Sequence, residues 1–183
     1  MNDGVLHADA YRLVSQWVAP TEQTAAIRDQ FLELLTAQPR AARRDNPGAH
    51  LTASILVVSA DLERILLCLH GRVFKWLQLG GHLEDADVDI VDSARREARE
   101  ESGLDELAID PVPVDLDIHP VPCRYGPALH YDLRFVGVAG DGAVPRCSDE
   151  SRDLRWFAVD ALPEPRGSDT DRLIAAALSA ARR

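Results

Sequence analysis

The segment from Gly80 to Leu104 reads GGHLEDADVDIVDSARREAREESGL, and the fold of the chain depends on it. A glycine pair, an acidic loop and a helix rich in carboxylates follow one another in this segment without a break. At about 100° per residue, a helix places Glu97, Glu100 and Glu101 within one narrow arc, because they are spaced i, i+3 and i+4. The sequence therefore predicts three carboxylates that point the same way.

Three carboxylates on one side of a helix are unfavourable without a compensating positive charge. Like charges at i,i+4 destabilise a helix by about 0.2–0.5 kcal/mol per pair. Arg96 can pair with Glu100 one turn later and Arg99 lies nearby, yet neither neutralises the whole cluster. Because oxygen ligands of this kind suit Mg²⁺ or Mn²⁺ better than Zn²⁺, we predict one of these two cations here.

The other features of this helix are typical of a surface helix that buries one side. It carries an apolar stripe made of Ile90, Val91, Ala94 and Ala98. Asp87 or Asp89 is expected to cap its start. Gly103 follows the last periodic residue, where a left-handed C-terminal cap is expected.

The segment resembles the signature of the Nudix hydrolases, G-x5-E-x7-R-E-U-x-E-E-x-G-U, in which U is an aliphatic residue. The run from Arg96 to Leu104 matches the second half of this signature at every fixed position. In the first half, Asp87 stands six residues after Gly81 in place of Glu, and the distance from there to Arg96 is one residue longer. An R-E-x-x-E-E run alone is common on solvated helices. The resemblance therefore depends on the run together with the glycine pair, the acidic loop and the closing glycine.

This resemblance implies hydrolysis of a diphosphate linkage in a nucleoside diphosphate joined to another group. It implies that Glu97 and Glu101 hold Mg²⁺ or Mn²⁺ together with the carbonyl of Gly80. Glu100 would complete this metal cluster or act as the base, and Arg96 would orient the carboxylates. The predicted catalytic residues are Glu97, Glu100 and Arg96.

Three further residues are candidates for the same site: Glu150, His82 and Asp87. Glu150 begins the pattern Glu-Ser-x-x-Leu-x-Trp-Phe, which resembles a late Nudix strand whose preceding loop supplies many members with an acidic ligand or base. His82 occupies the place of a metal-binding His in the related prenyl-diphosphate isomerases, although Gly80 stands where those enzymes have a cysteine. Two other functions stay open, namely a catalytically silent Nudix domain that binds a nucleotide as a regulator and, with less support, such an isomerase.

Four residues outside the helix are predicted to contact the substrate: Arg72, Trp76, Tyr125 and Arg134. Trp76 is also a candidate for packing in the core. A strand predicted at residues 130–138 places His130, Asp132 and Arg134 on one face. In a structural interpretation these side chains face water, and in a functional interpretation Arg134 contacts a phosphate.

Two further histidines and the three cysteines show no metal-binding or disulfide pattern along the chain. His50 and His70 have no metal-ligand spacing with another His or Cys and are interpreted as ordinary strand-end histidines. The three cysteines have no paired spacing, and Cys68 lies inside an apolar run. We therefore expect no disulfide framework and a reducing compartment.

Composition limits the class of protein and its partners. A length of 183 residues with 46% hydrophobic content fits one domain with an appendage. The net charge of −10 argues against binding of a nucleic acid polymer and leaves a small nucleotide-type substrate. The N-terminus lacks a signal pattern and no stretch approaches about 20 apolar residues, so we expect a cytoplasmic protein without a membrane span.

The predicted fold is an α/β/α sandwich around a mixed β-sheet, with an N-terminal helical extension. Residues 1–48 form the extension and residues 49–183 the Nudix hydrolase domain. Helices are predicted at 7–18, 22–37 and 171–183 besides the Nudix helix, and strands at 52–59, 64–70, 73–78, 107–118, 130–138 and 154–158. The extension could form a lid or a homodimer contact, but packing against the core is the favoured interpretation.

Overall fold

The fold is described from a computed structural model for residues 3–123, 126–149 and 151–183. The helices within these residues are α1 (Asp3–Gln16), α2 (Glu22–Ala37), α3 (Ile90–Ser102) and α4 (Thr170–Ala181). The strands are β1 (Ala49–Val58), β2 (Arg64–His70), β3 (Trp76–Leu77), β4 (Leu79–His82), β5 (Leu107–Ile109), β6 (Asp115–Cys123), β7 (Gly126–Ala139) and β8 (Ser151–Ala158).

Strand β1 is the centre of a mixed sheet. All ten of its residues are buried, as expected for a β-branched and mostly apolar run. It pairs in parallel with β7 from Ala49↔Leu129 to Val58↔Val138, and antiparallel with β2 and β4. Strands β5 and β6 continue the sheet from β7, while β3 and β8 pair with β2.

Helices cover both faces of this sheet, which confirms the predicted α/β/α sandwich. Alternate side chains of β1 point to opposite faces. Ala53, Ile55 and Val57 pack in one cluster with the apolar stripe of α3. Leu56 and Val58 pack with α4 on the other face. The same face continues towards the start of β1 with polar residues, namely His50, Thr52 and Ser54.

The N-terminal helices pack against the core. Helix α2 begins with a reciprocal capping box between Thr21 and Thr24. Phe31 of α2 is fully buried and contacts Tyr131 of β7 edge to face at 5.0 Å between ring centroids. The segment between α2 and β1 also packs, since Ala41 is buried and its carbonyl accepts a hydrogen bond from the backbone N–H of Leu51. The domain boundary at residue 48 stays a prediction.

Two of the predicted strands differ from the structure. The strand predicted at 107–118 divides into β5 and β6, because Pro111 and Pro113 cannot donate to a ladder. The strand predicted at 73–78 is reduced to the two residues of β3. Among the described residues, no helix has the length and apolar character needed to cross a bilayer.

Candidate active site at the end of helix α3

Helix α3 begins and ends through its own caps. Asp89 accepts a hydrogen bond from the backbone of Asp92 at 2.7 Å, so Asp89 and not Asp87 is the N-cap. Gly103 adopts the left-handed conformation with φ of 66°, and its N–H donates to the carbonyl of Arg99 at 2.8 Å. These caps fix where the helix begins and ends, and its buried apolar stripe fixes the direction of its carboxylates.

The three carboxylates of α3 differ in how far they are exposed. Glu101 is buried, with 8% of the residue exposed, and it accepts a hydrogen bond from the backbone N–H of Gly80 at 2.9 Å. The Glu97 side chain is 12% exposed and the Glu100 side chain 51% exposed. The cluster therefore runs from a buried end beside β4 to an open end in solvent.

The glycine pair of β4 allows the close approach that this arrangement needs. A Cβ on Gly80 would lie 2.6 Å from Ser54 Cα and 2.8 Å from the carbonyl oxygen of Ala53, and its φ is +153°. A Cβ on Gly81 would lie 2.5 Å from Oε1 of Glu97. The absence of a side chain at Gly80 therefore allows β4 to lie close to β1. The absence of a side chain at Gly81 allows the same strand to lie close to the Glu97 carboxylate of α3.

We expect Gly80→Ala to lower the free energy of unfolding by about 2 kcal/mol, because the new methyl group meets backbone atoms that cannot move independently. Urea unfolding followed by circular dichroism measures this change. Gly140→Ala is the matched control, since a Cβ there meets nothing within 4 Å. Equal urea midpoints for the two variants would contradict the proposed close approach.

Arg96 joins the carboxylates of α3 to strand β4. Its Nη1 lies 3.0 Å from Oε1 of Glu97 and 3.2 Å from Oε2 of Glu100. Its Nη2 donates to the carbonyl of His82 at 2.8 Å. The guanidinium therefore contacts both glutamates and strand β4, and its role in orienting the carboxylates stays a prediction.

Asp87 is a buried carboxylate that accepts hydrogen bonds from the Arg96 guanidinium. It is 2% exposed and accepts hydrogen bonds from Nε of Arg96 at 2.8 Å, from the Ser93 hydroxyl at 2.7 Å and from the backbone of Glu84 at 2.7 Å. Burial raises the pKa of Asp87, but the hydrogen bonds from Arg96 and Ser93 outweigh this effect and the net pKa is lowered. Burial likewise opposes the charge of Arg96, whose pKa is nevertheless raised by Asp87 and Glu97.

The electrostatics at this end of α3 favour a cation. Glu100 and Glu101 lie in the last turn of the helix, where the helix dipole is negative and carboxylates are unfavourable. Arg96 lies close to two of the three carboxylates, and Glu101 accepts a hydrogen bond from the N–H of Gly80. The donor set consists of hard oxygen atoms, and it fits Mg²⁺ or Mn²⁺.

The predicted substrate contacts are scattered. Arg72 is exposed just after β2. Trp76 is 8% exposed and contacts the Phe157 ring at 4.7 Å between centroids, so it packs in the core. Tyr125 and Glu150 lie outside the described residues.

The water-facing interpretation of Asp132 and Arg134 is wrong. Arg134 is 2% exposed, because β6 and the residues that precede α4 surround it with carboxylates. It donates to Asp132 at 2.9 Å and to Asp117 at 3.1 Å, and it also contacts Asp115 and Asp169. A phosphate would have to displace these partners, so the substrate contact of Arg134 stays a prediction.

The structure brings together a group that sequence reasoning missed. Its members are His50, His82, Cys123 and His130, and their potential ligand atoms all lie within 4.8 Å of one another. The sequence alone indicates only an ordinary strand-end histidine at position 50. No local spacing indicates this group, because its members belong to four different strands.

A comparison with family models identifies the domain around this site. The model described as "NUDIX domain" matches residues 48–178. The chain belongs to the Nudix family. This membership confirms the resemblance of the Gly80–Leu104 segment to the Nudix signature. The Nudix chain is a pyrophosphohydrolase that acts on acid anhydrides.

Solved structures share the Nudix fold. A NUDIX-family hydrolase from Clostridium perfringens is similar with a TM-score of 0.58 and 21% identity, over 73% of this chain and 96% of that one. The E. coli dihydroneopterin triphosphate pyrophosphohydrolase has a TM-score of 0.59 and 15% identity, over 71% and 95%. The NUDIX domain of Shewanella oneidensis NrtR, solved with ADP ribose, has a TM-score of 0.56 and 17% identity, over 71% and 86%. A search of curated proteins gave no match.

Proposed function

We propose that this Nudix enzyme hydrolyses the diphosphate linkage of a nucleoside diphosphate joined to another group, with Mg²⁺ or Mn²⁺ as cofactor. The observation that supports this proposal best is the carboxylate cluster of α3, held by Arg96 on one side and by Gly80 on the other. The similar NUDIX domain of NrtR was solved with ADP ribose, which is a compound of this chemical class.

The metal ligands in this proposal are Glu97, Glu100, Glu101 and the carbonyl of Gly80. A divalent cation bound there would neutralise charge that develops on the phosphoryl oxygens and lower the pKa of a bound water. The protein contributes the fixed position of the carboxylates. Because the Gly80 N–H holds Oε2 of Glu101, that side chain does not have to be ordered when a cation arrives.

Arg96 and Glu100 have separate roles. Arg96 is a positioning residue, since its buried guanidinium fixes Glu97 and Glu100 relative to β4. Glu100 has the most exposed of the three carboxylates and is therefore the candidate to accept a proton from the attacking water. In the reaction the water oxygen forms a bond to phosphorus and the bridging P–O bond breaks. The products are a nucleoside monophosphate and the phosphorylated second group.

A substrate panel tests this proposal. The purified protein is incubated with ADP ribose, nucleoside diphosphate sugars, dinucleoside polyphosphates and isopentenyl diphosphate, with Mg²⁺, with Mn²⁺ or with EDTA. We expect release of a nucleoside monophosphate from at least one compound, and only with a divalent cation. Nucleotide binding without product would favour the silent regulator, and isomerised isopentenyl diphosphate would favour the isomerase. Either outcome would overturn the proposed hydrolysis.

A further inference from the structure

The four members of the His and Cys group meet at the polar end of the sheet. His50 of β1 is the register partner of His130 on the parallel strand β7. His82 of β4 lies opposite Thr52, so it is a diagonal neighbour of His50 on the same face. Cys123 ends β6, which pairs with β7. Four strands therefore each contribute one potential ligand to one point.

Four distances within the group are close to those of a tetrahedral metal site, and all the ligand atoms lie within 4.8 Å of one another. Nε2 of His82 lies 3.2 Å from Nε2 of His50. Sγ of Cys123 lies 3.6, 3.9 and 3.1 Å from Nε2 of His50, His82 and His130. Zinc bonds of about 2.0–2.1 Å to nitrogen and about 2.3 Å to sulfur place tetrahedral ligands about 3.4 Å (N to N) and about 3.6 Å (N to S) apart.

The His50 ring can present a lone pair to a metal. Nδ1 of His50 lies 3.4 Å from the carbonyl of Asn46, which can only accept. A proton on Nδ1 leaves the lone pair on Nε2 directed at the group, as is usual for metal-bound histidines.

The thiol would have to lose its proton on binding. Burial raises the pKa of Cys123, although the nearby charges of Arg44 and Arg72 oppose this shift. A bound metal deprotonates a coordinating thiol, and the proton passes to solvent. Cys123, His82 and His130 are all partly accessible, which leaves a path for the metal.

We propose that one Zn²⁺ binds to four side chains of this chain: His50, His82, Cys123 and His130. Imidazole and thiolate donors select zinc, whereas the carboxylate oxygens of α3 select Mg²⁺ or Mn²⁺. Four protein ligands fill a tetrahedral shell, so this site is structural. It would fasten the end of β6 and the start of β7 to β1 and β4.

The zinc site lies next to the proposed catalytic cluster without sharing a ligand with it. Gly81 meets Glu97 on the α3 side of β4, and the next residue, His82, points to the other side of the sheet. The carbonyl of His82 accepts from Arg96 at 2.8 Å. Zinc binding would therefore stabilise the strand that supports Arg96, and the proposed diphosphate hydrolysis can fail without affecting this inference.

Cobalt substitution tests the site on the full chain. The protein is stripped with a chelator and titrated with Co²⁺ under reducing conditions. We expect intense visible d–d bands of tetrahedral cobalt and a near-ultraviolet sulfur-to-cobalt charge-transfer band, both saturating at one equivalent and removed by Zn²⁺. Weak bands of six-coordinate cobalt, or no bands, would overturn the proposal and leave a hydrogen-bonded cluster of neutral side chains.

Matched variants assign the ligands. Cys123→Ser should lose the charge-transfer band, whereas Cys147→Ser, which changes an exposed free cysteine, should keep it. His130→Gln should weaken Zn²⁺ binding at least about 100-fold in competition with a chromogenic chelator, and His70→Gln should leave it unchanged. Far-ultraviolet circular dichroism checks that each variant folds, and His82→Gln replaces any ligand variant that does not. Equal spectra for the two cysteine variants would place the cobalt elsewhere and refute the site.

Discussion

Glu97→Gln is expected to lower the kcat for diphosphate hydrolysis at least about 100-fold. Loss of a residue that only supports a metal ligand already costs about 10–100-fold, and Glu97 is proposed to be a ligand itself. Glutamine keeps the size of the side chain and removes its charge. The measurement is the steady-state rate with Mg²⁺ on the best substrate of the panel, at metal concentrations high enough to saturate the wild type.

A control separates this effect from a general loss of negative charge. Glu106→Gln makes the same change at an exposed position outside the cluster and should retain wild-type rates. Thermal melts of both variants show whether lost contact with Arg96 has also weakened the fold. If the Glu97→Gln protein retained more than a tenth of the wild-type kcat, the proposal that Glu97 is a metal ligand would be wrong.

Asp87→Asn is expected to lower the free energy of unfolding by about 3–5 kcal/mol, because it leaves the buried Arg96 guanidinium without its main partner. The Asp87 side chain is 2% exposed and that of Arg96 12% exposed, so water solvates the Arg96 guanidinium poorly once the Asp87 charge is removed. This change corresponds to a decrease of roughly 10 °C in Tm for a chain of this size. Urea unfolding and thermal melts at neutral pH measure it.

The pH dependence of this difference follows from the lowered pKa of Asp87. Because the folded pKa lies below the ordinary value of 3.8, the charged form stabilises the fold above that value. This stabilisation is lost as the pH falls through the folded pKa. The free energies of unfolding of Asp87→Asn and wild type should therefore show the whole expected difference at neutral pH. This difference should shrink as the pH falls below about 3.8.

Asp85→Asn is the matched control, because Asp85 lies in the same loop with its side chain 64% exposed and makes only a 3.8 Å contact with Arg43. It should change stability by less than about 1 kcal/mol. If Asp87→Asn were as stable as Asp85→Asn at neutral pH, the claim that the Asp87 charge stabilises the buried Arg96 guanidinium would be wrong.

Local pattern was sufficient for helix α3 and its carboxylates. The i, i+3 and i+4 spacing places Glu97, Glu100 and Glu101 together in any α-helix, and Gly103 ends the helix wherever it packs. Helix α2 and strand β2 agree with prediction at both ends, because Pro20 and the turn at residues 60–63 bound them locally. The Nudix family could be recognised for the same reason, since its signature is continuous in sequence.

The role of Asp87 could be narrowed but not decided from the sequence. Its position allowed a cap, a metal ligand or neither. Only the packing of the loop against α3 shows that Arg96 and Ser93 enclose its carboxylate. The buried state of Arg134 was missed for a similar reason, because alternation along β7 defines a face without telling what covers it.

The sequence by itself determined the helices and most of the strands, because those depend on periodicities of 3.6 and 2 residues within one segment. It also determined the family and the helical carboxylates, because the signature is continuous in sequence. Tertiary structure alone decided which strands lie side by side and in what register. His50, His82, Cys123 and His130 are separated by up to 80 residues, and they converge only because β1 pairs with β4 and β7 in one particular alignment. A shift of one residue would turn each side chain to the opposite face, so the group exists through the packing of the whole sheet.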